Sequence, residues 1–437
     1  MRRFLSRFAL ALLGSLLAFG FGEWVVRQQI PVDESGQRWE GHTRLPPWRM
    51  PMHDIRNRLT ALDNGESLFL VDADLGWRPR PGATSRDGQV HIDSAGIRRN
   101  ANPALAPEDT QRALRIVTVG DSFTFGDEVP DNETWPAQLE RLLRQDGVPA
   151  RVFNLGTNAY GIDQAILRLA RDGAPLRPDV VILGLQPENL MRNVNVLRPF
   201  FFPDTALPLS KPRFILRDGK LRLRNQPTLT PDEILEFLEN PASHPLAPYE
   251  QWLDERYEEF FWQQSALLSL LAQRLAATDS TQPGKRARQN DDERFTDRRQ
   301  AEMLQLGTAL LEKFDNEAQA IGARPLLVYL PRRAELEAQL AGEEVWYGDW
   351  LAQATTDLPN HPNLSNLPGL AGHPIVRPEA GMTVASDDRF APGGHYSAQQ
   401  NRRVAQAILR ALQPTLRNFR DAAHPGDARP TVTPAAR

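Results

Sequence analysis

Apolar residues fall in two rhythms along the chain, and the rhythms alone predict most of its elements. Arg115 to Val119 is a short apolar run closed by Gly120, as expected of a buried parallel strand. Thr134 then reads as an N-cap, with Pro136 in the first turn, Leu139, Leu142 and Leu143 at helical spacing, and Gly147 as the stop. A second strand is predicted at Val152 to Leu155. Ile162, Ala165, Ile166, Leu169 and Ala170 form the apolar face of the helix that follows, and Asp179 to Leu185 is a third strand. The rhythm breaks between Arg192 and about Asn290. It resumes with a helix from about Arg298 to Ile321, a strand at Pro325 to Tyr329, and a last helix. That helix is capped by Ser397 and Gln400 and buries Val404, Ala405, Ile408, Leu409 and Leu412.

This succession predicts an α/β fold, a doubly wound parallel sheet with helices on its faces. In such sheets chemistry gathers at the carboxyl ends of the strands. The break reads as an inserted helical and β lid over about 192–296. It holds the run Pro199 to Pro203, a hairpin turning at Asp218-Gly219, an aromatic-rich helix near Tyr249 to Ala276 and a charged linker at 278–293. Ser67 to Arg99 reads as a small β elaboration. The expected domains are 1–26, an N-terminal segment; 27–110, a spacer and the β elaboration; 111–414, the α/β domain; and 415–437, a polar tail expected to be disordered.

The N-terminal segment changes the picture most. Arg2, Arg3 and Arg7 precede an apolar stretch from Phe8 to Val26 whose one charge is Glu23. As a helix it reaches roughly 28 Å, enough to cross a bilayer core as a transmembrane anchor. The arginines orient it with everything after Val26 exported. A cleaved signal peptide is the competing reading, with Ala18 and Gly20 as its site; Trp24 at the membrane interface favours the anchor. The expected location is the inner membrane, single-pass, with the folded part periplasmic. Among 437 residues the formal net charge is −4, which gives no reason to expect a nucleic-acid partner. There is no cysteine, so disulfides and thiolate chemistry are excluded. The eight histidines are scattered and no phosphate-binding glycine motif occurs, so no metal or cofactor is expected.

Gly120-Asp121-Ser122-Phe123-Thr124-Phe125-Gly126 places a serine directly after a buried strand, where its hydroxyl can stand at the sheet's edge and nearby N–H groups can face an oxyanion. It is not a G-x-S-x-G elbow, because Thr124 replaces the second glycine. Gly120-Asp121-Ser122 with its strand resembles block I of the SGNH (GDSL) hydrolases, an α/β family with catalytic residues in four separated blocks. Asp93-Ser94-Ala95-Gly96-Ile97-Arg98 is similar to the lead-in of exported members. The resemblance covers about Arg115 to Leu412, interrupted by the insertion.

It implies Ser122 as nucleophile. In the second block, Asn154 to Gly161, an N–H should face the oxyanion; Gly161 is preferred, with Ala159 in the other register. The third block should supply an asparagine amide, which falls on Asn189, with Asn193 and Asn195 as alternatives. The family's usual Gly-x-Asn-Asp is absent here. The fourth block, Gly393-Gly394-His395, supplies the base His395. The family's Asp three residues earlier is replaced by Pro392, so the acid is expected at Asp388 or its neighbour Asp387, with Asp388 chosen. The implied activity is ester hydrolysis through an acyl-enzyme on Ser122, acting on an extracytoplasmic ester such as O-acetylated polysaccharide or lipid. The alternatives are a polysaccharide O-acetyltransferase and a catalytically weak, membrane-tethered binding or assembly module.

Overall fold

The structure is a computed structural model describing residues 2–30, 32–33, 36–39, 43–45, 50–253, 265–278, 297–343, 345–348, 350–351, 375–378 and 387–422. The expected linker, the Pro-rich stretch near His361 and the chain beyond residue 422 fall wholly or largely outside them. The chain divides into two compact units. One is made of residues 1–64, 194–211 and 228–300, the other of 65–193, 212–227 and 301–437.

The second unit is built on a five-stranded parallel sheet: β1 Leu114–Gly120, β2 Ala150–Asn154, β3 Val180–Leu185, β4 Arg324–Tyr329 and β5 Ile375–Val376, in the order β5-β4-β3-β1-β2. The helices that bear on it are α1 Trp135–Gln145, α2 Ile162–Arg168, α3 Asp297–Ala320 and α4 Ala398–Ala422. Both faces are covered, which is why the strands read as unbroken apolar runs. Ile116, Val152, Val180, Ile182 and Val328 join Leu139, Leu143, Val404, Ile408 and Leu412 in one core. Val117, Val119, Val181, Leu183 and Leu327 are buried as well, at alternating positions of the same strands. From β1 the chain goes first to β2 on one side and then to β3 on the other. The carboxyl end of β1 is therefore the point where the strand order reverses.

The local signals hold. Thr134 accepts the Ala137 N–H at 3.2 Å, and the Asp218-Gly219 turn joins Arg213–Arg217 to Lys220–Arg224 with φ of +52° and +69°. One boundary does not hold: residues 415–422, expected to belong to the disordered tail, are helical. α4 runs through Pro414, because the apolar stripe continues at Leu416, which is fully buried, and that packing outweighs the missing proline N–H. The hairpin Phe69–Asp72/Gly76–Pro79 belongs to the sheet unit. There the Trp77 indole donates to Asn158 O at 2.8 Å, and the Gln164 amide to Leu75 O at 2.7 Å.

In the first unit the helix Arg2–Gln29 contains one stretch, Leu10–Gln29, long and apolar enough to cross a membrane; Leu13, Leu17, Phe21 and Trp24 along it are exposed. Glu23 accepts the Ser265 hydroxyl at 2.7 Å and the Ala266 and Leu267 N–H groups at 2.9 Å, capping the helix Ala266–Thr278. Phe200 and Phe201 are buried against Phe237 and Trp252, so the aromatic run is a core contact of this unit.

Candidate active site

β1 ends at Gly120, whose φ of +149° and close approach to Gly184 O leave no room for a Cβ. Asp121 then caps a single helical turn, Ser122–Phe125. Its carboxylate accepts the Phe123 N–H at 3.0 Å, and its carbonyl accepts those of Thr124 and Phe125. The Ser122 N–H, first in that turn, has no acceptor among the described residues. The side chain of Ser122 stands at the carboxyl edge of the sheet, only 6% exposed.

The histidine arrives from the loop before α4. Ser122 Oγ is 2.9 Å from His395 Nε2, and the Phe123 ring flanks the imidazole at 5.0 Å between centroids. The other ring nitrogen, Nδ1, lies 2.9 Å from Glu128 Oε2. Glu128 also accepts the N–H groups of His395 at 2.9 Å and Gly393 at 2.5 Å. A side chain at position 393 would collide with that carboxylate, which would have to shift from its present seat. Partial burial raises the Glu128 carboxyl, but the hydrogen bonds from His395 and Gly393 outweigh it and hold the group below the usual glutamate range.

Glu128 therefore stands where Asp388 was expected. The reason is the turn around His395: Phe390 bridges Tyr396 and the Ser397 N–H bonds Arg389 O, so Asp388 comes opposite Ser397, whose hydroxyl donates to the Asp388 carbonyl. The side chain of Asp387 lies outside the described ones. Sequence reading missed Glu128 because it looked for the acid on the histidine's own loop. The signal was a carboxylate pair, Asp127-Glu128, directly behind the serine segment.

Asp127 is placed quite differently from its neighbour. Its Oδ2 is 3.9 Å from His395 Nε2 and accepts the Asn158 amide. Burial pushes its carboxyl above the usual range, and the nearby His395 offsets that only in part.

The second block lies alongside. Ala159 has φ +65°, a glycine-like conformation, and its N–H has no acceptor among the described residues. Gly161 caps α2, and its N–H faces Gln164 Oε1 at 3.3 Å. The expected donor at Gly161 is thus already engaged, and Ala159 is the residue whose N–H remains available.

Asn189 follows β3 as expected but is committed inward. Its amide donates to Asp121 Oδ2 at 2.9 Å and Tyr160 O at 3.1 Å, and its carbonyl accepts the Gln186 N–H. An amide nitrogen has two hydrogens, so in this arrangement Asn189 braces the residue before Ser122 and has none left for an oxyanion. Of the alternatives, Asn193 caps α2 through Ile162 N, while Asn195 belongs to the first unit and donates to Glu250 and Leu197 within it. Arg192, which no motif announced, joins Asn189 on Asp121 at 3.1 Å and is held by Glu188.

No protein-family model and no curated protein matches the chain. Among solved structures it is similar to TesA, with 13% identity, a TM-score of 0.31, and coverage of 69% of this chain and 98% of that one. It is also similar to a lipolytic protein of the G-D-S-L family from Desulfitobacterium hafniense DCB-2, with 12% identity, a TM-score of 0.30, and coverage of 68% and 99%. A shorter likeness, 30% identical with a TM-score of 0.17, covers 18% of this chain and 44% of a mutant of the esterase AlinE4.

Proposed function

We propose that the protein is a membrane-anchored, extracytoplasmic ester hydrolase that works through an acyl-enzyme on Ser122. The observation that carries this reading is the continuous chain Ser122 Oγ, His395 Nε2, His395 Nδ1, Glu128 Oε2, with 2.9 Å at each of its two hydrogen bonds. That is the arrangement by which a serine hydroxyl is activated.

His395 takes the hydroxyl proton at Nε2 as Ser122 Oγ bonds the ester carbonyl carbon. Glu128 fixes the tautomer by accepting from Nδ1–H and balances the imidazolium charge. The N–H groups of Ser122 and Ala159 hold the oxyanion, and each such donor is typically worth about 10² to 10³ in rate. The C–O bond to the alcohol then breaks and its oxygen takes the proton from Nε2. Water then bonds the acyl carbon while giving a proton to Nε2, and the Ser122 Oγ–carbon bond breaks as Nε2 returns that proton to Oγ, which releases the acid and restores the serine.

With the N-terminal helix in the inner membrane and its arginines on the cytoplasmic side, the site faces envelope esters, of O-acetylated polysaccharide or lipid. A fluorophosphonate probe tests the reading. The wild-type chain should be labelled, and Ser122→Ala should not. His395→Ala should release acetate from p-nitrophenyl acetate about 10⁶-fold more slowly, the usual scale for losing the base of such a unit. Folded wild-type protein that takes no label would refute it.

A further inference from the structure

The similarity of Asp93 to Arg98 to an exported lead-in is not explained by the chemistry above, and the structure gives its arginine a definite place. Arg98 is 2% exposed, at a point where the lead-in bridges the end of β2 through its N–H on Asn154 O. Its guanidinium does not serve the lead-in. Nη1 donates to Phe125 O at 2.7 Å and Gly126 O at 2.5 Å, and Nη2 to Val129 O at 2.6 Å. Nε faces Asp131 at 3.3 Å, and the cation lies 4.7 Å from the centroid of the Phe125 ring. All three carbonyls flank the two-residue segment Asp127-Glu128.

That segment needs holding. Glu128 has φ +66°, in the left-handed region that non-glycine residues avoid, and its carboxylate reaches the histidine loop where Gly393 leaves room for it in this position. A planar fork with five donors can pin several carbonyls in one geometry. A lysine, with one flexible ammonium, cannot.

The geometry points to Arg98 as a positioning residue that sets the reach of Glu128 to His395 by clamping the carbonyls on both sides of it. The inference rests on the Ser122–His395–Glu128 reading. It adds that the acid's orientation is enforced from the lead-in segment, so that segment is part of the catalytic machinery at one remove. Asp131 is the second element of the clamp: it faces Arg98 Nε and also accepts the His91 N–H and lies against the His91 ring.

A double-mutant cycle on the full chain tests this, with kcat/KM for p-nitrophenyl acetate and the labelling rate of Ser122 as readouts and Tm measured for every variant. Arg98→Lys in the wild-type background should lower kcat/KM about 10- to 100-fold, as for a misplacement of about 1 Å. In the Glu128→Gln background the same substitution should change it less than about 2-fold, because the group it positions is already gone. Equal losses in the two backgrounds, or no loss in wild type, would overturn the inference. If Arg98→Lys does not fold, Asp131→Asn replaces it in the same cycle, with the same pattern expected and the same pattern of failure. Glu128→Gln alone separates the two levels. If it retains wild-type kcat/KM the triad reading fails, whereas a large loss with additive Arg98→Lys defeats only the positioning role.

Discussion

The two loops that meet at the site are held in opposite ways. The serine loop, 120–131, is fastened from many sides: Asp121 caps its turn, Asn189 and Arg192 fix Asp121, and Arg98 takes the carbonyls of Phe125, Gly126 and Val129. The histidine loop, 391–395, has two internal backbone bonds, Gly394 N–H to Ala391 O and Ala391 N–H to His395 O, the second made beside the bridge of Phe390 to Tyr396. From the other loop, Glu128 accepts two of its backbone N–H groups and meets the ring. A catalytic acid on the histidine's own loop orients a ring. Placed on the other loop, it also docks the two loops together. The lesson is that the acid's role is set by where a carboxylate can meet Nδ1 and by what must be held, and sequence distance from the histidine does not fix it.

The largest expected effect comes from cutting this link. Glu128→Gln keeps the shape but removes the charge and the correct tautomer, and should lower kcat/KM about 10³-fold or more, measured with p-nitrophenyl acetate; Asp388→Asn should match wild type. Loosening the serine loop should cost less. Asn189→Ala removes the brace on Asp121 and Tyr160 O and should lower kcat about 10- to 100-fold, with a smaller change in KM. A loss of 10³ or more there would instead mark Asn189 as a transition-state donor.

The remaining two predictions concern stability. Ala159→Gly relieves a left-handed alanine and should stabilise the fold by about 1 kcal/mol, read as a rise in Tm. Asp127→Asn removes a carboxyl whose folded pKa is raised above 3.8. Ionising that group costs more in the folded state than in the unfolded state. Wild type therefore carries the penalty at neutral pH and sheds it as pH falls below the ordinary aspartate value. The asparagine variant should be slightly the more stable in denaturant titrations near pH 7, and the difference should vanish in acid.

The sheet was legible because buried parallel strands are written as apolar runs ending at glycine or a polar turn, and all four long strands lie where those runs stand. Ser122 and His395 were legible for a related reason: each sits at a boundary, after a strand or before a capped helix, and boundaries carry local signals. What had to be seen in three dimensions were the residues that act across loops. Glu128 has no spacing rule to His395, Arg192 reaches Asp121 from 71 positions away, and Ala159 rather than Gly161 keeps its N–H because Gln164 engages the latter. The boundary drawn between residues 414 and 415 failed in the opposite sense, since burial of Leu416 carries the helix past Pro414, a residue type that normally ends one.

The central claim is that the carboxylate on His395 Nδ1 is Glu128, and proton NMR reads that bond directly. Wild type and Asp388→Asn should both show a strongly downfield ring N–H resonance, and Glu128→Gln should lose it. A resonance that survives in Glu128→Gln and disappears in Asp388→Asn would contradict the account.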